Sequence, residues 1–446
     1  MKDKLLIYNA RLVDELIDVK NGAILISGNK IEGFPCSQAV KEMLSSGDVS
    51  FYNAQKKVVM PAFVDLHSHF RDPGFTQKED IVSGCHAAAA GGFGTLVLMP
   101  NTNPVISSQE AAEKNNKKAE DTGLCQTFQS VSLTKGFDGK TVSHLEGLNA
   151  KKVPLVSEDG KEVASSAVML EAMKIAAKKN LVVSCHCEDP DLALQARSLR
   201  AEAIEILSSA GEKISSKDKK EAGKLLSRAN QILAVAEDTA TFRNIRLAKE
   251  AGCHLHLCHV STANCVIAAL EARSAGQNVT FEITPHHIGL SGTSGRELFQ
   301  IVNPPLRSEL DRQVLIDSLL EGFADAIATD HAPHTLEDKA SGSPGFSELE
   351  TAFATCYSVL CLDNGMSLSD LSRLMSANPA RILGLEDRGA LEEGYLADLV
   401  IVDPEKEWTV RGEEFASRGK YTPLEGKKLV GEITATIHRG KFVFQS

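Results

Sequence analysis

Between residues 62 and 334 the chain repeats one pattern eight times: a short apolar run that ends in polar or ionisable residues. The runs are AFVDLHSHF, GTLVLMPNT, CQTFQSVSL, VPLVSEDG, LVVSCHCED, HLHLCHVST, VTFEITPHH and ADAIATDHAPH. Helix-period stretches such as SSAVMLEAMKIAAKKN and NCVIAALEARSAG lie between most of them. Strands alternating with helices predict parallel βα units. Eight units predict an α/β fold of the TIM-type (β/α)8 barrel, whose active sites sit at the C-terminal ends of the strands.

The two ends of the chain have a different texture. Residues 1–60 and 390–446 are short β-branched segments broken by turn residues, as in KLLIYNARLVD and GEITATIHRGKFVF. Their likeness predicts one small β-sandwich domain formed by both termini, with the barrel over 61–389. Residues 189–236 break the barrel rhythm with a long, charged, helix-prone tract. This predicts a helical insertion on the rim, either a solvated helical pair or a lid or subunit contact.

No apolar run approaches the ~20 residues of a membrane span, and charges interrupt the first apolar stretch, MKDKLLIYNARLVDE, too early for a signal-peptide core. A cytoplasmic protein without a membrane partner is expected. The ten cysteines are scattered and form no C-x-x-C pair, which favours buried, reduced thiols. A formal net charge of −11 argues against non-specific nucleic-acid binding.

In a barrel the run ends converge. They bring together His67 and His69, Asn101, Glu158 and Asp159, His186, His259, the pair His286 and His287, and Asp330. On a strand, Asp65, His67, His69 and Arg71 share one face. Such a set is expensive to bury unless something binds it. Imidazoles mixed with carboxylates suit zinc, manganese or iron(II). The set exceeds the needs of one metal and fits two, typically ~3.5–4 Å apart. In HLHLCHV, strand parity separates His259 from His254 and His256. As the last of the run, His259 is the better ligand candidate and the other two read as structural.

The segments DLHSHFRDPG, MPNT, SEDG, CHCE, HVST, NPPLR and ATDHAPH occur in this order. Together they resemble the amidohydrolase superfamily, and within it the dihydroorotases of the long bacterial type. The resemblance implies that His67, His69 and Asp330 bind one divalent metal ion, that His186 and His259 bind a second, and that Asp159 bridges them. Zinc is the first choice for both. Similar dihydroorotases carry DDG where this chain has SEDG; Asp159 keeps the place before the glycine, and Glu158 alternates to the other face. Paired cations would acidify a water to a nucleophile near neutral pH. Asp330, both ligand and neighbour, would shuttle its proton to the leaving nitrogen.

The same resemblance implies that Arg71, Asn101 and His334 hold the substrate carboxylate, and that Asn303, Pro344 and Gly345 contact its ring. The implied reaction is the reversible closure of N-carbamoyl-L-aspartate to dihydroorotate in pyrimidine synthesis, by a homodimer. The alternatives are a hydantoinase, dihydropyrimidinase or allantoinase, or a scaffold homologue without catalysis. Arg71 and an aspartate at the bridge favour the first reading, and the full ligand set argues against a scaffold. The segment from His331 to Phe346, aperiodic and rich in small residues, reads either as a mobile loop over the site or as a merely exposed segment.

Overall fold

The computed structural model describes residues 4–209, 214–292 and 301–446. Strands β1 (Lys4–Val13), β2 (Asp18–Ser27) and β3 (Lys30–Gly33) form an antiparallel meander. After helix α1 (Ser37–Ser46), β4 (Ser50–Asn53) and β5 (Val58–Pro61) both run parallel to β1.

The barrel begins directly after β5. Its strands are β6 (Phe63–Ser68), β7 (Phe93–Leu98), β8 (Gln126–Gln129) with β9 (Val131–Ser132), β10 (Leu155–Ser157), β11 (Val182–Cys185), β12 (His254–Leu257), β13 (Val279–Ile283) and β14 (Ala326–Ile327). Neighbouring strands pair in parallel. The third run is split at Ser130, so that β8 pairs with β7 and β9 with β10. A parallel bridge from Ser68 to His331 closes the ring, and His69 N donates to the His331 carbonyl at 2.8 Å. The eight apolar runs of the sequence are the eight staves.

Helices α2 (Ile81–Ala90), α3 (Gln109–Thr122), α4 (Ser166–Lys179), α5 (Pro190–Ser209), α6 (Ser216–Ala251), α7 (Ala263–Ser274), α8 (Pro285–Gly289), α9 (Glu309–Leu320) and α10 (Leu336–Ala340) follow the strands. Their starts are written locally. The side chains of Asp80, Ser108, Ser165, Ser215, Thr262 and Ser308 each accept from a backbone N–H of the first turn. Each such cap is worth about 1 kcal/mol. Parallel strands covered on both faces need apolar residues at both parities. Leu96, Val156 and Val183 accordingly pack with helix residues such as Ala87 and Met169, while the adjacent Val97, Leu155 and Val182 form a second cluster.

The chain then returns to the first sheet. β15 (Leu399–Thr409) pairs antiparallel with β5, and β16 (Lys428–His438) and β17 (Lys441–Gln445) extend it. Ile31 N donates to the Tyr395 carbonyl at 2.9 Å, so the far strand β3 meets the segment entering β15. The sheet thereby curls around one cluster that includes Ile7, Ile24, Leu399 and Ile437. This is the expected β domain made from both termini.

The insertion is a helical arm. α5 and α6 pack through Ala193, Ala196, Ala229 and Leu233, and again through Ala203, Ala222 and Leu226. Part of the expected insertion, residues 210–213, lies outside the described residues. The arm does not end at 236: α6 continues to Ala251, with no proline between Ser216 and Ala251, and ends where Gly252 takes the left-handed cap. Among the described residues no helix is long and apolar enough to cross a membrane, and all ten cysteines are free thiols.

Candidate active site

Six of the strand-end residues lie close together in one cluster. His67 is the fifth residue of β6, and His69 follows the end of that strand. His67 Nε2 lies 3.2 Å from Asp159 Oδ1 and 3.6 Å from Asp330 Oδ1. His69 Nε2 lies 3.1 Å from Asp330 Oδ1 and 3.5 Å from Asp159 Oδ2. His186 Nδ1 lies 3.6 Å from Asp159 Oδ1 and 2.9 Å from His259 Nε2. All six side chains are buried.

Two of the six residues, and Arg71 beside them, have left-handed or near left-handed backbones just past their strands. φ is 58° at Arg71, 34° at His259 and 47° at Asp330. For residues with a Cβ this costs about 1–2 kcal/mol each. The turn also explains why strand parity does not decide His259. β12 ends at Leu257, and the reversal two residues later re-aims the imidazole into the cluster. His256 is buried below it and points to Glu282.

Glu282, the fourth of five residues in β13, is the residue that sequence reasoning missed. Its carboxylate is fully buried, 3.1 Å from His67 Nδ1 and 2.9 Å from His256 Nε2. Burial works against its charge, but His256 and His67 hold its pKa at about 2. Glu282 thus occupies the Nδ1 side of His67 and leaves Nε2 for the cluster. The available signal was a lone acidic residue inside an otherwise apolar run. Asn101 has an unforeseen bracing role too: its Oδ1 meets His69 Nδ1 at 2.9 Å and its Nδ2 donates to Asp159 Oδ2 at 3.2 Å.

Two other strand-end candidates do not join. Glu158 is buried and turned away, accepting from Thr134 N at 2.8 Å and from the Thr134 hydroxyl. His286 and His287 lie on α8, where His287 Nε2 meets the Pro304 carbonyl at 3.2 Å and His286 Nδ1 faces Glu348 at 3.3 Å.

The donor set fits divalent cations. Ligand atoms of His67, His69 and Asp330 lie within 4.8 Å of one another, as do those of His67, Asp159 and His259. His67 Nε2, Asp159 Oδ1 and His259 Nδ1 are buried without a hydrogen-bond partner, a costly state that a bound cation relieves. Burial would raise the Asp159 pKa, but His67 and His69 outweigh it and hold the carboxyl well below its usual range. Burial, with His186 and His67 nearby, holds His259 well below the usual imidazole range, in the neutral form that ligates.

Above the cluster lies a cavity of about 640 Å³. His69, Arg71, Asn101, Asp159, His186, His259, Asn303, Asp330, His334, Pro344 and Gly345 all line it, with His67 beneath. Arg71 Nη2 approaches His334 Nε2 at 3.4 Å, and Arg71 Nε is buried without a partner. Burial, then Arg71 and Lys78, lower the His334 pKa to about 3. A larger cleft of about 1220 Å³ between the terminal sheet and α3 holds none of these residues. Its Lys117 and Lys152 are paired with Glu120 and Glu113.

The segment from His331 to Phe346 is anchored from inside, although Leu336, Glu337, Ala340, Ser341 and Pro344 are exposed. The Lys339 ammonium is buried and donates to the carbonyls of Ile301, Ser343 and Gly345 at 3.0, 2.8 and 3.0 Å. Gly345 has φ 130°, and a Cβ there would sit 2.6 Å from the Ala332 carbonyl oxygen, so the loop needs glycine at this close approach.

The Amidohydrolase family profile matches residues 58–443. A dihydroorotase of Clostridium botulinum (strain Eklund 17B / Type B) is 40% identical over 444 residues, spanning 99% of this chain and 100% of that protein. A dihydroorotase of Ligilactobacillus salivarius is 37% identical over 430 residues, 95% of this chain and 94% of that protein. Among solved structures, the L-hydantoinase (dihydropyrimidinase) from Arthrobacter aurescens superposes with a TM-score of 0.83 at 24% identity, covering 100% of this chain and 96% of that one. Dihydropyrimidinase from Brevibacillus agri NCHU1002 gives 0.82 at 22%, covering 99% and 95%. At these identities the structural matches speak to the fold.

Proposed function

The chain belongs to the amidohydrolase family, and from that premise we propose that it catalyses the dihydroorotase reaction, the interconversion of N-carbamoyl-L-aspartate and dihydroorotate in pyrimidine synthesis. It is a metal-dependent cyclic amidohydrolase. His67, His69 and Asp330 would hold one divalent cation and His186 and His259 a second, with Asp159 between them; zinc suits this mixture of imidazole and carboxylate. When bound, such cations supply an acidified water and polarise the ring carbonyl.

The remaining steps fall to the chain's own side chains. Asp330, braced by His69 at 3.1 Å, takes the proton of the nucleophilic water and delivers it to the leaving ring nitrogen. The planar Arg71 fork, with His334 and Asn101 beside it, receives the substrate carboxylate. Asn303 and the backbone at Pro344 and Gly345 hold the ring. A cytoplasmic homodimer is the assembly and placement proposed with this reading.

One observation carries the substrate assignment. An arginine whose Nε is buried without a partner faces the same cavity as the carboxylate–imidazole cluster. An uncharged ring gives that guanidinium no countercharge, whereas dihydroorotate supplies a carboxylate. The test is a spectrophotometric comparison of dihydroorotate, hydantoin, dihydrouracil and allantoin on the zinc-loaded protein. Dihydroorotate should be preferred by at least about a hundredfold in kcat/KM, the scale of an unpaired buried charge. Preference for any uncharged ring would move the activity to a hydantoinase or dihydropyrimidinase.

A further inference from the structure

The arm formed by α5 and α6 interrupts the barrel rhythm, yet one side of α5 faces the substrate cavity. Arg197, Arg200, Ala201, Ile204 and Glu205 line it, at the i, i+3, i+4, i+7 and i+8 spacing of one helical face. Ala196 and Ala203, on the adjacent stripe of the same helix, are buried against α6. We propose that this arm is a wall of the substrate site and that Arg200 is a positioning residue that sets the orientation of Asn303. The inference rests on the dihydroorotase reading for the substrate, and on the geometry alone for the coupling.

Arg200 Nη1 donates to Asn303 Oδ1 at 2.6 Å. Its Nη2 donates to the Val302 carbonyl at 3.4 Å and to Asn230 Oδ1 on α6 at 3.5 Å. The guanidinium therefore spans both helices of the arm and the loop that carries Asn303. A carboxamide whose oxygen is drawn to a cation on one side is turned with its NH2 donors to the other. With Oδ1 held by Arg200, Asn303 presents hydrogens to the cavity, the polarity required by a ring or ureido carbonyl. Without Arg200 the amide is free to turn its oxygen inward, where it would repel that carbonyl.

The same loop is anchored to the arm a second time. Arg307 Nη2 pairs with Glu237 of α6 at 2.8 Å, and its Nη1 donates to the Asn230 carbonyl at 2.9 Å. The arm also touches the other substrate loop. A Cβ placed on Gly342 would collide with Ile204 Cδ1, so α5 lies directly against the segment that leads to Pro344 and Gly345. Both loops expected to hold the ring thus rest on the arm.

The test is a double-mutant cycle on the zinc-loaded enzyme: R200A, N303A and R200A/N303A, assayed with dihydroorotate and with N-carbamoyl-L-aspartate. R200A should raise KM about tenfold, the scale of one lost hydrogen bond, with kcat changed less than about threefold. Zinc content and melting temperature should match the wild type. In the N303A background, removing Arg200 should cost less than about twofold more, because its partner is already gone. R200Q, which retains amide donors, should recover part of the loss and provides the same readout if R200A does not fold. Two results would overturn the proposal: an unchanged KM in R200A and R200Q, or effects of R200A and N303A that simply multiply. If the wild type turns over another ring and not dihydroorotate, the substrate reading fails, and the cycle run on that ring still decides the role of Arg200.

Discussion

Replacing Glu282 by glutamine changes no volume and removes one buried charge. Its carboxylate serves His67 Nδ1 at 3.1 Å and His256 Nε2 at 2.9 Å, and the His259 amide approaches it at 3.4 Å. The interaction with His67 matters for the cluster, because a carboxylate on one ring nitrogen fixes the tautomer and raises the basicity of the other. A glutamine offers one acceptor and one donor pair, so it cannot accept from both imidazoles. Loss of such a partner typically weakens a metal site about 10–100-fold, or roughly 1.4–2.8 kcal/mol. The assay is zinc affinity by chelator competition near neutral pH, with kcat and KM measured at saturating zinc. Affinity should fall in that range while KM changes less than about twofold, since Glu282 is not among the residues lining the cavity. His256→Gln, one step further from the cluster, should produce a smaller loss of the same kind. A folded Glu282→Gln protein that binds zinc as tightly as the wild type would refute the assignment of Glu282 as the brace of His67.

Four further outcomes are expected. Asp330→Asn should fold and lose nearly all turnover; a rate near that of the wild type would remove Asp330 from proton transfer. Arg71→Lys should raise KM about tenfold or more with metal content intact, since a point charge does not replace a bidentate fork; loss of metal would show that Arg71 supports the cluster instead. Chelation should abolish activity and lower the melting temperature, and zinc should restore both; an active chelated protein would exclude the proposed centre. His334 gives a pH test. Its folded pKa is lowered from 6.5 to about 3, so the unfolded chain takes up the proton first as pH falls, and stability drops between about pH 6.5 and 3. At pH 5 the cost is about 2 kcal/mol, from 1.36 kcal/mol per pKa unit over about 1.5 units. In urea denaturation of the metal-free proteins, His334→Gln should gain about that much on the wild type between pH 7.5 and 5, and a constant difference would contradict it.

The barrel was legible because its strands are covered on both faces. Nearly continuous apolar runs such as LVVSC and TLVLM need no partner information to be recognised, and the polar residue ending each run marks the catalytic end. His67, His69, Asp159 and Asp330 were legible for the same reason, since a strand end fixes where they go. Glu282 was not, because it lies inside a run, where an acidic residue reads as an imperfection of the pattern unless its partners are known. Arg200 was hidden differently. A helix face of Arg, Ala, Ile and Glu is what a solvated helix also presents, and only the fold of the arm turns that face inward. Lys339 was hidden within a segment whose composition suggests mobility; its ammonium, buried among three carbonyls, gives that segment a fixed seat.

The position of Asp159 joins these threads. Where similar dihydroorotases have two aspartates before the glycine, this chain has Glu158 and Asp159, and successive residues at a strand end point apart. The extra methylene of Glu158 lets it reach the backbone N–H and hydroxyl of Thr134, away from the cluster. Burial raises its pKa to about 7, against the hydrogen bonds from Thr134. Asp159, one atom shorter, stays ionised between His67 and His69. The two adjacent carboxyls are therefore shifted in opposite directions, one surrounded by imidazoles and the other buried beside a hydroxyl and an amide. An ionised carboxylate with one buried oxygen unpartnered, beside residues held in left-handed backbones at His259 and Asp330, is a costly arrangement for a domain whose net stability is about 5–15 kcal/mol. Hydrogen bonds within the cluster do not offset that cost, since His67 Nε2 and His259 Nδ1 also lack partners. A bound divalent cation would, so the residues that make the site expensive to fold are the ones suited to holding a metal.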